Sequence, residues 1–374
     1  MKYSVLCIFL MTLMLPMTNV FAQETTAEPA TTVAEMLPEE APKKKKDKKD
    51  ELTEEQRAHL AFIGIRTGDL DMAKKYMFPQ MVYEYDKDGE NILTLAIASD
   101  NVAMVDFVEQ HSIINRKNKA GETPLTLALK KGNPEILHLI MHRAKASLKN
   151  DLGELPIVLA LEESYDLKTL QLLINKGAEL NARANGITPL SRAVELNKLP
   201  AVALFLKNGA DPSMTNEDGT IPLALAVQQN QEAIAGLLLN RSDEPSEDAN
   251  WENTLGEPII VLAAFEGKTG IVKTLVYFGA DVNAMDYMDN TALTMAAKRG
   301  NAPVMEFLVE NGADIDHENM LGFTPVLIAA ESGHYAAANY LANNGANIEN
   351  RSYSGIAATD FYSFTSSTDE VETP

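Results

Sequence analysis

The chain is almost without cysteine: Cys7 is the sole thiol in 374 residues, and it sits inside an apolar N-terminal run. If that run is removed, disulfides, thiolate metal sites and a cysteine nucleophile are all excluded. A thiol-free chain also suits an oxidising compartment. Aromatics are scarce at 6%, with one tryptophan, whereas the hydrophobic share is 45% and dominated by Leu and Ala. That composition favours short, closely packed helices over a sandwich or barrel rich in β-branched residues. Cations are outnumbered, 32 Lys and Arg against 53 Asp and Glu, for a net charge of −21. A surface of that sign repels a phosphate backbone, which disfavours nucleic acid and suits a basic partner.

Long apolar runs are also missing, except at the start. Met1 to Ala22 reads as a secretory signal: Lys2 is the positive start, Val5 to Leu15 the apolar stretch, and Val20-Phe21-Ala22 the approach to a cut between Ala22 and Gln23. Pro16, Thr18 and Asn19 interrupt the stretch well before the roughly 20 apolar residues that a membrane-spanning helix needs. Cys7 lies too early in it for a lipid-modification site. Residues 23–50 are rich in Thr, Glu, Pro and Lys, and are expected to be disordered. Six lysines between Lys43 and Lys49 are either a solvated linker or an electrostatic contact with an anionic envelope surface.

From residue 51 the sequence repeats itself. A marker glycine recurs at Gly89, Gly121, Gly153, Gly186, Gly219 and Gly256, is replaced by Asp289, and returns at Gly322 and Gly355. The spacings are 32, 32, 33, 33, 37, 33, 33 and 33, the signature of a solenoid. Gly121-Glu122-Thr123-Pro124-Leu125 shows the logic: Gly permits positive φ, Thr caps a helix, and Pro fits its first turn. Seven residues past the marker stands a small residue, as at Ala128, Ala160, Ala193, Ala226, Ala263, Ala296 and Ala329, which lets neighbouring helices approach. Gly132, Asn197, Asn230, Gly267, Gly300 and Gly333 then end the first helix. A second helix closes on Gly-Ala, as at Gly177-Ala178 and Gly312-Ala313. One such pair cannot bury its apolar face alone, so stability must come from stacking.

These residues resemble the ankyrin repeat family, whose unit runs from a finger-like turn through Thr-Pro-Leu-His-x-Ala-Ala and Gly to Gly-Ala-Asp-Val-Asn. Gly186-Ile187-Thr188-Pro189-Leu190 and Gly322-Phe323-Thr324-Pro325 match its start, and Gly279-Ala280-Asp281-Val282-Asn283 its end. The resemblance implies an all-α solenoid over 51–362, with an N-terminal cap, eight central repeats and a truncated last one. Residues 363–374 are expected to form a disordered tail. Two departures stand out. The family's His is replaced by Thr94, Thr126, Val158, Ser191, Ala224, Val261, Thr294 and Leu327, which predicts weaker bonding between turns. The capping Thr is kept only at Thr123, Thr188, Thr291 and Thr324, so the turns at Gly153 and Gly256 are expected to be weak points.

Chemistry is hard to find. Among the six histidines only His138 and His142 have a chelating spacing, and the repeat register puts both on the outward side of a second helix. Glu162-Glu163 falls where the repeat carries variable surface residues. No catalytic, cofactor or metal residue is therefore assigned, and the chain is expected not to be an enzyme.

The resemblance implies protein binding through the finger tips and the face formed by the first helices. Early tips are polar, with Lys87, Asp88, Lys119, Glu217 and Asp218. Late tips are apolar: Tyr287 and Met288, then Met320, Leu321 and Phe323, then Tyr353. Such a ridge marks either an interface or residues packed on their own fingers. The long spacing places an insertion near Arg241 to Glu252, whose Trp251 is a second contact candidate or covers a gap between repeats. The expectation is an exported bacterial scaffold, periplasmic or secreted, monomeric, without a cofactor, and with an unidentified protein as partner. The alternatives are an envelope protein tethered by its lysines and a secreted effector acting on host proteins.

Overall fold

In the computed structural model residues 52–240 and 246–361 are described. The signal stretch with Ala22 and Gln23, the lysine-rich linker, the first five residues of the insertion and the C-terminal tail lie outside them.

The described residues form helices joined by short return loops, with no β-strand beyond isolated bridges. A cap comes first, α1 (Glu54–Thr67) and α2 (Leu70–Tyr76). Pairs follow: α3 (Ile92–Ala98) with α4 (Val102–Glu109), α5 (Pro124–Lys131) with α6 (Pro134–Met141), and α7 (Pro156–Glu162) with α8 (Leu167–Asn175). Next are α9 (Pro189–Glu195) with α10 (Leu199–Lys207), α11 (Pro222–Gln228) with α12 (Glu232–Leu239), and α13 (Ile259–Phe265) with α14 (Thr269–Tyr277). The last are α15 (Ala292–Arg299) with α16 (Ala302–Glu310) and α17 (Pro325–Glu331) with α18 (Tyr335–Asn343), before a 3-10 turn at Ala358–Asp360. First helices pack on first helices in chain order, and second helices do so from α4 to α6 and from α8 through α10, α12 and α14 to α16. The fold is an all-α solenoid of stacked helix pairs.

The spacing of small residues explains the stacking. Ala96, Ala128, Ala160, Ala193, Ala226, Ala263, Ala296 and Ala329 are all completely buried, one per first helix. With only a methyl group at the contact, adjacent helices come close enough for Leu and Ile on either side to interlock. In the cap the buried residues are Ala61, Phe62, Ile65 and Ala73, while Leu60 and Met72 are only half-buried. First helices end on left-handed residues at Gly132, Asn197, Asn230, Gly267, Gly300 and Gly333, and also at Asp100 and Ser164, where neither Gly nor Asn signals the stop. Asp289 takes positive φ in place of the marker glycine.

At four of the eight positions a hydroxyl stands where the family has His; Val158, Ala224, Val261 and Leu327 at the other four are apolar. Thr94, Thr126, Ser191 and Thr294 are fully buried, and each pairs with the capping residue three positions earlier. Carboxamides supply part of the bonding between repeats. The Thr188 amide donates to Asn216 Oδ1 (3.1 Å), and Asn319 Nδ2 donates to Asn290 Oδ1 (2.8 Å). Asn181, Asn250 and Asn283 each accept the backbone amide of Asp211, Asp281 and Asp314 in the following repeat, and each donates to the glycine carbonyl at the end of the next second helix. Asn91 caps α3 with its own carboxamide. Leu155, Ile221 and Pro258 provide no side-chain cap, so the finger at Gly219 joins those at Gly153 and Gly256 as uncapped.

Candidate protein-interaction site

Each finger is a tight hairpin closed by the residue three before its marker. Asp86, Asn118, Asn150, Asn253, Asp286 and Asn319 use a side-chain oxygen to accept the amide four residues on. This Asx closure was legible as a column of Asp or Asn at that offset, and it leaves the two flanking positions free to point outward. One finger differs. Asn185 and Gly186 both have positive φ, and Ala184 pairs with Ile187 across them, the two-residue hairpin that an Asn-Gly sequence prefers.

Along the last four fingers the outward positions are apolar. Leu255, Met285, Tyr287, Met320, Leu321 and Tyr353 are between 48% (Met285) and 76% (Tyr353) exposed. Backbone bonds hold three of these fingers in line: Met320 N–H donates to Met288 O (3.0 Å), and Tyr353 N–H to Leu321 O (3.1 Å). The ridge is therefore carried on hydrogen-bonded backbone, and its apolar groups need no folding rearrangement to meet a partner.

The other residues singled out in the sequence sit elsewhere. Met288 and Phe323 are half-buried, and Phe323 packs on the core. Trp251 is likewise half-buried against the core, after a 3-10 turn at Glu247–Asn250 whose Ala249 is fully buried. Ser246 N–H donates to Phe278 O (3.0 Å), so the described part of the insertion is stitched to the following repeat. Sequence reasoning missed Leu255 and Met285. Leu255 precedes Gly256 as Leu321 precedes Gly322, and Met285 stands two residues before Tyr287 on the same side of an extended segment.

Charge varies along the array, with three basic return segments between acidic ones at 77–91 and 208–221. The return segments 110–123, 142–155 and 176–188 hold eight Lys or Arg and four Asp or Glu. The late segments 246–258, 278–291, 311–324 and 344–357 hold eleven acids and one cation, Arg351. The apolar ridge thus lies within an edge of one sign.

Glu122, Lys130 and Arg66, whose pKa values are shifted, serve the stacking. Lys130 Nζ reaches Glu122 Oε1 (2.7 Å) and Glu154 Oε2 (2.6 Å), and Asn150 Nδ2 donates to both carboxylates. Burial pushes the Glu122 pKa up, but donation from Lys130, Asn150 and Thr126 outweighs it and holds the carboxyl below its ordinary range. Arg66, bonded to Asp88 and Asp86, is pushed further up. Each group is saturated by protein partners that link one repeat to the next. His138 and His142 are both exposed, and among the described residues no group of three or more His, Cys, Asp or Glu is placed to hold a metal. No described helix is long and apolar enough to cross a membrane.

Stacked helix pairs joined by projecting hairpins define a repeat protein of the ankyrin class. The family profile described as ankyrin repeats (3 copies) matches in overlapping segments from residue 59 to residue 352, and the chain belongs to that family. As a family, ankyrin repeats mediate contacts between proteins. The chain is 32% identical over 121 residues to alpha-latrotoxin-Lg1a of Latrodectus geometricus, covering 32% of this chain and 9% of the toxin. It is 36% identical over 101 residues to human NF-kappa-B inhibitor alpha, covering 26% of this chain and 32% of the inhibitor. The chain thus spans a third or less of the length of these relatives. Among solved structures, the ankyrin repeat domain of Bcl-3, titled a member of the IkappaB protein family, aligns with a TM-score of 0.51 and 26% identity. That alignment covers 56% of this chain and 95% of the Bcl-3 chain.

Proposed function

We propose that this chain is an exported, non-enzymatic scaffold that captures a protein partner on its late finger edge. The single observation that carries the reading is the ridge of Leu255, Met285, Tyr287, Met320, Leu321 and Tyr353, open to solvent and, over its last three fingers, held in register by backbone bonds. Exposed apolar side chains in a contiguous row are the usual mark of a contact surface, with aromatics as anchors. One relative is named as the inhibitor of a protein, which agrees with a scaffold that acts by binding. Export rests on the sequence of residues 1–22, and the periplasm or the exterior is the destination it supports.

The test is Tyr287→Ser, Met320→Ser and Tyr353→Ser combined, in mature chain used as bait in an envelope extract with mass spectrometry. The expected result is an unchanged helical circular dichroism spectrum and loss of the captured protein. Retention of that protein would refute the reading. N-terminal sequencing of the exported product checks the cut between Ala22 and Gln23, and sedimentation checks the monomer. A second reading, an envelope tether, is favoured by the Lys43–Lys49 run. Release of the protein from envelopes by a high-salt wash would support it.

A further inference from the structure

We infer that the partner of the late finger edge is a cationic protein segment in which Lys or Arg side chains flank apolar anchors. The inference rests on the proposed role of the ridge, and adds the chemistry of what the ridge binds. The segments that carry the six exposed apolar residues also carry Glu247, Glu252, Asp281, Asp314, Glu318 and Glu349, all exposed and, among the described residues, none in an ion pair. The one cation of these segments, Arg351, is engaged by Asp360 (3.2 Å) and by the Gly355 carbonyl (2.6 Å).

The acidity is not uniform along the array. The three return segments 110–123, 142–155 and 176–188 have twice as many cations as acids, and several of those cations are occupied, whereas 77–91 and 208–221 are acidic like the late edge. Lys117 pairs with Asp151, Arg183 donates to Thr215, and Lys149 donates to the Arg183 carbonyl. A partner that covers the ridge must strip water from the acids at its rim. Cations on the partner compensate that loss, whereas acids add like-charge repulsion. Apolar tips therefore supply the adhesive area, and the rim of acids selects for positive charge and speeds encounter.

The test measures fluorescence anisotropy of the mature chain with two labelled synthetic peptides, one alternating Lys and Leu, the other alternating Glu and Leu. Three variants are compared with wild type. The edge variant combines Glu252→Gln, Asp281→Asn, Glu318→Gln and Glu349→Gln. The control, with the same change in net charge, combines Glu135→Gln, Glu163→Gln, Glu306→Gln and Glu310→Gln. The ridge variant is the triple serine substitution already described.

The expected result is binding of the Lys–Leu peptide alone, weakened about tenfold or more in the edge variant and by less than about twofold in the control. Raising salt from about 50 to about 200 mM weakens wild type much more than the edge variant. Equal loss in edge and control variants, or equal binding of the Glu–Leu peptide, overturns the inference. So does concentration-dependent self-association that the edge variant abolishes, since the occupant is then a second copy. The two readings also separate in the envelope capture. If the ridge variant loses the captured protein and the edge variant keeps it, the ridge stands and the cationic partner falls. If the ridge variant keeps it, the binding role of the ridge falls as well.

Discussion

The ring of Tyr353 lies against the α-carbon of Gly322, one finger earlier in the array. A β-carbon at Gly322 would stand 2.7 Å from Tyr353 Cδ1 and 2.9 Å from its backbone nitrogen, closer than any real contact allows. That same nitrogen donates to the Leu321 carbonyl at 3.1 Å. Glycine at this marker therefore serves twice: it turns the finger at φ +73° and clears the seat for the next aromatic tip. Gly322→Ala is expected to cost about 1–3 kcal/mol through strain and displacement of Tyr353. Gly345→Ala, also at positive φ but with open space around it, pays only the backbone penalty of about 1–2 kcal/mol. Urea unfolding of the two variants measures the difference, and Tyr353 chemical shifts report the lost seat. An equal cost with unmoved shifts would show that the ring does not depend on the glycine.

Helix capping sets where the array opens. Thr188 Oγ1 accepts from the Ser191 amide (3.1 Å) and donates to the Ser191 hydroxyl (3.0 Å), so α9 begins on a buried pair. At the same position α7, α11 and α13 begin on Leu155, Ile221 and Pro258, which accept nothing from the helix. Thr188→Ala is expected to destabilise by about 1 kcal/mol. Hydrogen exchange by mass spectrometry should show faster exchange in the first turns of α7, α11 and α13 than in α5, α9 and α15. Uniform protection across the six helices would mean that stacking, not capping, governs local opening.

The cluster of Glu122, Lys130 and Glu154 makes stability depend on pH in a defined direction. The Glu122 pKa is lowered below its ordinary 4.5. Its stabilisation is thus present above pH 4.5 and lost as pH falls through the lower folded value. Burial lowers the Lys130 pKa, and the two carboxylates more than reverse this, raising it above 10.5. That contribution is present below pH 10.5 and lost only as pH rises through the higher folded value. Lys130→Met leaves two carboxylates sharing Asn150 without a cation, at an expected cost of roughly 1–3 kcal/mol near neutral pH. As pH falls and Glu122 protonates, the gap to wild type narrows. Urea titrations at neutral and acid pH check this, and a gap that stays constant would exclude the ion pairs as its source.

The repeat was legible because its period, its turn glycines and its buried alanines are local signals that recur. Asp100 and Ser164 were not, because positive φ is uncommon for residues other than Gly and Asn and neither carries that signal in the sequence. The loss of the family histidine suggested weaker bonding between turns. Asn216 and Asn319 do act across repeats, with partners about thirty residues away that no local pattern exposes. The ridge was half-visible. Tyr287, Met320, Leu321 and Tyr353 flank a marker and could be read as tips, whereas Met285 needed the hairpin geometry to be placed beside Tyr287. Phe323 illustrates the opposite error: it too adjoins a marker, but it lies on the inward side of the turn and packs on the core.

A larger side chain in the middle of the array should separate its halves. Ala226 is fully buried at the contact between α11 and its neighbours, so Ala226→Leu forces extra methyl groups into a packed seam. Overpacking of this kind costs about 1–3 kcal/mol. In a solenoid the cost falls on nearest-neighbour interfaces, because the repeats on either side keep their own contacts. Trp251 is the only tryptophan and packs half-buried just beyond the seam, so its fluorescence reports the middle of the array. Far-UV circular dichroism reports every helix. In wild type the two urea transitions are expected to coincide. In Ala226→Leu the fluorescence transition should come at lower urea than the bulk of the helical signal. Coincident transitions in the variant would mean that the repeats unfold as one unit despite the weakened seam.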